Sequence, residues 1–375
     1  MCDADELVGV IRMRVAVLGA AGTIAPAIVR DLAESAEVES ILLLDLDGET
    51  AAAVASGQGQ GKAEARAADA RSGLADELRG SAALVNSASY RVNLDAMGAA
   101  LEAGCHYLDL GGLYRMTGRQ LGLDEDFKAA GLLAVLGIGS SPGKTNLMAA
   151  RAVGELGGEV DAIHVSAAGR DLDPPEGFAV PYALETLIDE LTLSPVVLHN
   201  GEPDEIEPLS PGGEVDFGEP IGRAETIHTL HSELRTFAES FGCREASFRL
   251  SLDPSLLARL RDLTALPSEA VMAAGRDAKR PSSRTVAVHI VEASGGGRQV
   301  RVRAVTHPHQ HWGLGGGVVS TAAPAAATVR LLARGRIVAR GALPPERCID
   351  PGEMFAELER RGARFEIVAG EEARA

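Results

Sequence analysis

Small residues and a carboxylate follow the first two apolar runs of the chain in an order that suits dinucleotide binding. Gly19, Ala21 and Gly22 stand directly after the run RVAVL, and Asp45 ends the later run SILLLD. Small residues let a backbone approach a pyrophosphate, and the N-terminus of a following helix supplies free N–H groups. A carboxylate at the end of the second strand can accept both ribose hydroxyls of the adenosine and would repel a 2′-phosphate. The spacing Gly-x-x-Gly-x-x-Ala departs from the usual Gly-x-Gly-x-x-Gly. The alternative for the small residues is packing of a tight turn, and the alternative for Asp45 is capping of a loop.

The loop after the strand AALV is a second candidate contact with the cofactor. In such folds this loop passes under the nicotinamide ribose, and its small polar residues suit that place, although an ordinary polar loop is the alternative. We predict NAD, with NADP less favoured, because no arginine follows Asp45 directly. The candidate cofactor-binding residues are Gly19, Ala21, Gly22, Thr23, Ile24, Asp45, Asp69, Asn86, Ser87 and Ala88.

Three histidines at alternate positions, His307, His309 and His311, precede the only tryptophan. Alternate residues of a strand share one face, so three such imidazoles could bind zinc. Pro308 interrupts the strand, however, and no neighbouring acid or cysteine completes a tetrahedral set. We therefore predict no metal. The histidines either line the mouth of a cleft or lie in a solvated loop.

The elements that would position these residues alternate between strands and helices. RVAVL, SILLLD, AALVNSA, CHYLDL and LLAVLGIG are buried strands separated by helical stretches, which indicates a Rossmann-type doubly wound parallel sheet. After Pro142-Gly143 the strands VDAIHVSAAG, PVVLHNGE, ETIHTLHSE, SFRLSL and TVAVHIVEA alternate with period two, which indicates an inserted α+β domain. The predicted α/β architecture has an NAD-binding domain over residues 1–145, a substrate and dimerisation domain over 146–316, and a segment over 317–375 that returns to the first domain.

Composition excludes several classes of partner. The 375 residues carry a formal charge of −17, which disfavours nucleic acid and anionic membranes. The four cysteines have no CxxC spacing, and no leader or run of 18 apolar residues is evident. We expect a cytoplasmic protein that binds no membrane.

The sequence resembles the saccharopine dehydrogenase superfamily. The resemblance is carried by VAVLGAAGTIAPAIVRDL, ALVNSASYRVNLDAMGAALEAGCHYLDLGG, GIGSSPGKTN and STAAPAAATVRLLARGRI. Within the superfamily it is most similar to lysine 6-dehydrogenase, because saccharopine reductases carry an acid where Ser141 stands. The resemblance implies hydride transfer from a CH–NH₂ or CH–NH–R carbon to NAD, an imine product and a homodimer.

Amine oxidation requires a base within hydrogen-bond reach of the substrate nitrogen. The candidate catalytic residues are Asp109, His106, Lys144 and Tyr90. Asp109 ends a strand, and the alternative is a carboxylate that caps the Gly111-Gly112 turn; for His106 the alternative is packing in the strand. The candidate substrate-binding residues are Arg91 and Arg170 for a carboxylate, and His228 and His231, with Glu225 and Glu233 close by, for an ammonium.

The leading hypothesis is an NAD-dependent dehydrogenase that oxidises the side-chain amine of an amino acid, similar to lysine 6-dehydrogenase. A second hypothesis keeps the fold but changes the reaction to a reductive joining of an amine and a carbonyl, as in saccharopine or carboxynorspermidine formation. A third is a protein that binds NAD without turnover.

Overall fold

The structure is a computed structural model that describes residues 12–371. Its first part alternates strands and helices. The elements are β1 (Met13–Leu18), α1 (Ala25–Glu34), β2 (Val38–Asp45), α2 (Gly48–Gln58), β3 (Ala63–Ala67), α3 (Leu74–Leu78), β4 (Ala83–Asn86), α4 (Asn93–Ala103), β5 (His106–Asp109), α5 (Leu113–Leu121), α6 (Asp124–Ala129) and β6 (Leu133–Val135). A 3₁₀ turn over Tyr90–Val92 separates β4 from α4.

The second part is rich in longer strands. Its elements are α7 (Lys144–Leu156), β7 (Ala162–Asp171), α8 (Leu184–Thr192), β8 (Val196–His199), β9 (Glu202–Glu205), β10 (Pro211–Asp216), β11 (Arg223–His228), α9 (Leu234–Phe241), β12 (Glu245–Ser251), α10 (Pro254–Thr264), α11 (Ser268–Asp277), β13 (Thr285–Gly295) and β14 (Arg298–Thr306). The last elements are α12 (Gly316–Ala333), β15 (Gly341–Leu343), α13 (Pro351–Glu359) and β16 (Ala363–Glu371).

The first sheet is parallel throughout and has the strand order β15-β6-β5-β4-β1-β2-β3. Its strands are apolar because helices cover both faces; Val15, Val17, Leu84 and Val85 are each at most 1% exposed. The chain reverses its direction of winding between β1 and β4. The loops after these two strands therefore diverge and leave a crevice at the carboxyl edge of the sheet, where ligands bind in such folds. The predicted doubly wound sheet is confirmed.

The second sheet has nine strands, with the main order β10-β11-β12-β7-β13-β14-β16 and with β8 and β9 beside β12. Only the β12–β7 pair is parallel, so the sheet is mixed and mostly antiparallel. The segment ETIHTLHSE is a correction to the predicted strands: β11 ends at His228, and α9 begins at Leu234. The five residues between them turn the chain toward the first domain.

The C-terminal segment divides between the two sheets. Helix α12 packs on α1, and β15 extends the parallel sheet beside β6, as the predicted return of 317–375 requires. Strand β16, in contrast, pairs with β14 along its whole length in the second sheet. Seven of its nine residues are exposed, as suits an antiparallel edge strand rather than a buried parallel strand.

Helix α12 is the one described helix that is long and apolar enough to cross a membrane by length and composition. It is 78% buried inside the protein, however, against α1, α13 and the second sheet. Burial in the core of the protein accounts for its composition without a membrane.

Candidate functional site

A cleft of about 1070 Å³ lies between the carboxyl edge of the parallel sheet and one face of the second sheet. The first domain contributes the glycine-rich turn, the loops after β4 and β5, and the Ser141-Pro142 segment. The second domain contributes β7, β12 and β13, together with residues of α8 and α10. Such a site, where two domains meet at the topological switch point, is the usual place for a dinucleotide and its substrate.

The glycine-rich turn is built for close approach of a phosphate. Gly19 has a φ of +79°, and a Cβ there would lie 2.4 Å from the backbone nitrogen of Ala88. Helix α1 begins without a side-chain cap at Ile24, and Gly22, Thr23 and Ile24 line the cleft. The uncapped helix end therefore directs N–H groups toward the space that a pyrophosphate would fill.

The acid at the end of β2 is held in place by the turn itself. The Asp45 carboxylate accepts a hydrogen bond from the Ala21 N–H at 2.9 Å and another from the Asp47 N–H at 2.9 Å. Asp47 caps α2 and accepts from Thr50. Two carboxylates thus stand together at the end of β2, beside the glycine-rich turn. These residues fit a nicotinamide dinucleotide.

Of the other predicted cofactor residues, only some line the cleft. Ser87 and Ala88 line the cleft, and the Ser87 hydroxyl donates to the Leu18 carbonyl at 2.9 Å. Asn86 is 1% exposed and is fully engaged inside the protein: its amide donates to Asn93 and to Tyr107, and its carbonyl oxygen accepts from the Ala88 N–H. It shapes the loop rather than facing the cleft. Asp69 accepts from the Arg71 N–H in the turn after β3, outside the cleft lining.

Two predicted catalytic residues lie away from the cleft. Asp109 is 1% exposed and accepts from the Gly111 N–H, the Gly137 N–H and the Gln120 amide, so it ties together the loops after β5 and β6. Burial raises its pKa, against the effect of these hydrogen bonds. His106 begins β5, at the opposite edge of the sheet from the cleft, and its Nδ1 accepts from the Leu133 N–H. Both residues match the non-catalytic alternatives: Asp109 caps the Gly111-Gly112 turn, and His106 is hydrogen-bonded within the sheet.

Lys144 is buried behind the cleft rather than in it. Its ammonium donates to the hydroxyls of Ser320 at 2.5 Å and Thr306 at 3.5 Å, and burial lowers its pKa to about 7. Tyr90 does line the cleft. Its hydroxyl donates to Asp189 at 2.7 Å, and burial and this carboxylate raise the pKa of the phenol to about 12.

The polar centre of the cleft is His231. It is 6% exposed, stacks on Phe248 at a ring distance of 3.5 Å, and lies between two carboxylates. Its Nδ1 is 3.5 Å from Glu233 Oε2, and its Nε2 is 3.9 Å from Glu190 Oε2. Both ring nitrogens are buried, and among the described residues neither has a hydrogen-bond partner. Ser232 beside it also lines the cleft, and its hydroxyl is buried without a partner in the described structure.

The two carboxylates beside His231 are in turn supported by hydroxyl groups. Glu233 Oε1 accepts from Ser141 at 2.6 Å and from Thr145 at 2.8 Å, and Glu190 accepts from the Tyr182 hydroxyl. Burial disfavours the imidazolium, but the two acids outweigh it and raise the pKa of His231. Burial alone would raise the pKa of Glu233, yet His231 and Ser141 hold it below its usual value. The pKa of Glu190 is raised by burial.

The predicted substrate-binding residues separate into three groups. Arg170 lines the cleft and donates to Ser251, and burial lowers the pKa of its guanidinium. Arg259, which was not predicted, also lines the cleft. Arg91 instead pairs with Asp189 and Glu185 of α8. His228 is turned to the Phe248 carbonyl and is not part of the cleft lining.

Sequence reasoning found His231 and noted Glu233 close by, but it missed Glu190 and Ser141 as partners. Glu190 lies in α8 (LETLIDELT), more than 40 residues before His231, and nothing in the local pattern marks it. The single available signal was an acid on the apolar face of α8, beside Leu187 and Leu191. Glu225, the other acid noted, is exposed on β11.

The three alternate histidines belong to a turn that packs on α1. His309 stacks on Trp312 at 4.0 Å, and the Trp312 indole donates to Glu34. None of these histidines lines the cleft. Within residues 12–371 no group of three His, Cys, Asp or Glu side chains is arranged to hold a metal ion.

Comparisons with known proteins agree with this geometry. Residues 15–135 match the family described as the saccharopine dehydrogenase NADP binding domain. Carboxyaminopropylagmatine dehydrogenase of Synechocystis is 28% identical over 197 residues, which cover 50% of this chain and 48% of the relative. Carboxynorspermidine synthase of Vibrio alginolyticus is 27% identical over 175 residues, 44% of this chain and 42% of the relative. The chain thus matches about half the length of these relatives.

The fold of the whole chain has a counterpart among solved structures. Apo saccharopine dehydrogenase (L-Glu forming) from Saccharomyces cerevisiae superposes with a TM-score of 0.69 over 96% of this chain and 100% of that chain, at 14% identity. This likeness concerns the fold alone. Residues 15–135 of the first domain are therefore similar to the saccharopine dehydrogenase NADP-binding domain family, and the chain as a whole has the saccharopine dehydrogenase fold.

Proposed function

We propose that this protein is a nicotinamide-dependent oxidoreductase that acts at a C–N bond of an amine-bearing substrate. The observation that carries the proposal is His231, a buried imidazole in the lining of the cleft whose two ring nitrogens lie 3.5 Å from Glu233 and 3.9 Å from Glu190. A histidine of raised pKa, facing a dinucleotide cleft, suits proton transfer to and from nitrogen near neutral pH.

The proposed oxidation removes a hydride and a proton from the substrate amine. An amine of the type R₂CH–NH–R′ loses a hydride from carbon, the nitrogen lone pair forms the C=N bond, and the nitrogen gives up one proton. A bound nicotinamide supplies the hydride acceptor. His231 takes the proton from the substrate nitrogen, and Glu233 and Glu190 stabilise the resulting imidazolium. Water then converts the imine to a carbonyl compound and an amine, and the reverse sequence joins the two.

Two substrate classes fit this scheme. Oxidation of a primary side-chain amine, as in lysine 6-dehydrogenase, is supported by Ser141 before Pro142-Gly143 in place of an acid. Formation or oxidation of a secondary amine is supported by the names of the two curated relatives. Arg170 and Arg259 line the cleft and have no ion pair with a carboxylate in the described part of the chain, so a substrate carboxylate of either class could bind to them.

Oxidation assays distinguish the two classes. Purified protein is mixed with NAD or NADP and with L-lysine, saccharopine, carboxynorspermidine or carboxyaminopropylagmatine, and reduced nicotinamide is followed at 340 nm. Lysine turnover with release of ammonia supports the first class, and turnover of a secondary amine without ammonia supports the second. His231→Gln should lower kcat about 100-fold in either case. A protein that binds dinucleotide but turns over no amine would support the third hypothesis, binding without catalysis.

We further propose that NAD is preferred over NADP, although the matching family is described as NADP-binding. The proposal is supported by the two acids Asp45 and Asp47 at the end of β2. Asp45→Ala should weaken NAD binding about tenfold or more in calorimetric titration and leave NADP binding nearly unchanged. Asp45→Asn, which keeps an acceptor for the Ala21 N–H, is the matched control for the turn. Equal weakening of both dinucleotides would contradict the ribose-diol role.

A homodimer is proposed on the resemblance alone, and light scattering of the purified protein tests it.

A further inference from the structure

Helix α8 of the second domain is bonded to the first domain chiefly through the carboxylate of Asp189. Two donors from the loop after β4 converge on Asp189 Oδ2: the Tyr90 hydroxyl at 2.7 Å and the Arg91 guanidinium at 2.5 Å. Arg91 also lies 3.7 Å from Glu185, one helical turn earlier on the same face of α8. The Asp189 side chain is 20% exposed, so this contact is partly shielded from solvent.

The loop that supplies these donors lies against the dinucleotide-binding turn. The backbone of Ala88 is close enough to Gly19 to exclude a Cβ there, and Ser87 is hydrogen-bonded to the end of β1. Ser87, Ala88 and Tyr90 all line the cleft. A displacement of this loop would therefore be transmitted to Tyr90 and through it to α8.

The next residue of α8 reaches the acid–base cluster. Consecutive helical residues point about 100° apart, so Asp189 faces the first domain while Glu190 faces His231. Glu190 Oε2 is 3.9 Å from His231 Nε2, and the Glu190 carbonyl accepts from the Leu230 N–H at 3.4 Å. The position of Glu190 relative to His231 thus depends on the position of the whole helix.

We propose that Asp189 is a positioning residue: its bonds with Tyr90 and Arg91 hold α8 so that Glu190 faces His231, and they connect the acid–base cluster to the dinucleotide-binding loop. The inference deepens the proposed function, because it rests on His231 as the group that transfers protons. Asp189 itself touches no reacting atom in this scheme.

The test follows the titration of His231 without substrate or cofactor. The charged and titratable groups that face His231 are Glu190 from α8, Glu233 from its own segment and His289 from β13, with Lys144 behind His289. The nine histidines are labelled with ¹³C at Cε1, and His231→Gln identifies the His231 signal by its loss. Arg91→Met and Tyr90→Phe each weaken the contact with Asp189 without changing any group that faces His231.

In Arg91→Met, the proposal and a purely electrostatic effect shift the titration midpoint of His231 in opposite directions. Removing a positive charge would by itself raise the pKa of His231. If α8 is released and Glu190 moves away, His231 loses a stabilising carboxylate and its titration midpoint falls. Tyr90→Phe should lower the midpoint as well, although it changes no charge. Arg115→Met, which removes an exposed arginine paired with Glu205, should leave the midpoint unchanged.

A midpoint that stays constant or rises in both variants would overturn the proposal. If Arg91→Met does not fold, Tyr90→Phe decides the question, because it removes a single hydroxyl. The titration measures no turnover. Its result therefore stands on its own even if the amine assays contradict the proposed function. Where turnover is found, Asp189→Asn should lower kcat about tenfold while the Kd for dinucleotide changes less than about twofold.

Discussion

Lys144→Met should remove a strong dependence of folding stability on pH. The Lys144 side chain is 1% exposed and contacts two hydroxyls, those of Ser320 and Thr306, with no carboxylate in ion-pair range within the described chain. Burial lowers the pKa of the amine from 10.5 to about 7. The folded protein therefore disfavours the charged form that the unfolded chain carries at neutral pH.

Proton linkage gives the sign and the size of the effect of pH on folding stability. Between about pH 7 and the unfolded value of 10.5, the unfolded chain holds a proton on this lysine that the folded protein has lost, so stability rises with pH in this window. Below about pH 7 both states are protonated and the cost of burial is constant. At about 1.4 kcal/mol per pKa unit, the full effect is on the order of 5 kcal/mol, of which about 2 kcal/mol falls between pH 7 and pH 9.

Urea unfolding at pH 7 and pH 9 measures this effect. Trp312, the only tryptophan, lies on the chain between Thr306 and Ser320, so its fluorescence reports on the region that holds Lys144. The free energy of unfolding of the wild type, relative to that of Lys144→Met, should rise by about 2 kcal/mol from pH 7 to pH 9. Lys128→Met, at an exposed lysine paired with Asp124, is the control and should show no such rise. A constant difference between wild type and Lys144→Met would refute the reasoning.

Two further predictions concern packing and buried charge. Gly19→Ala places a Cβ against the backbone of the β4 loop at a positive φ; it should lower the free energy of unfolding by at least about 2 kcal/mol and abolish NAD binding in calorimetry. Gly98→Ala, at an open position in α4, should instead stabilise by about 0.5–1 kcal/mol, and a loss there would contradict the steric argument. Arg330→Met removes the buried guanidinium that joins Asp31 and Glu357, which keep Arg361 and Arg334 as partners, and should cost about 1–3 kcal/mol in urea unfolding; a loss below about 0.5 kcal/mol would show that the remaining arginines hold both acids without it.

The sequence predicted the parts of the site that depend on local chain geometry. The glycine-rich turn after β1, the acid after β2 and the loop after β4 are each defined within a few residues, and the structure places Gly22 and Ser87 in the cleft. The predicted catalytic residues Asp109 and Lys144 do not line the cleft. Asp109 and Lys144 lie at strand and helix ends that face the interior, and their buried environment depends on neighbours distant in sequence, such as Gln120 and Ser320.

By itself the sequence determined the alternating sheet, the inserted second domain and the glycine-rich turn. The reason is that hydrophobic periodicity and small residues specify strands, helices and turns within short stretches of chain. Tertiary structure alone decided which polar groups meet. Glu190, His231 and Ser141 come from three separate segments, and they are brought together only when α8 and the turn after β11 pack over the loop that precedes α7. His106 lies outside the site for a different reason: it begins β5, and the start and the end of one strand lie at opposite edges of a parallel sheet.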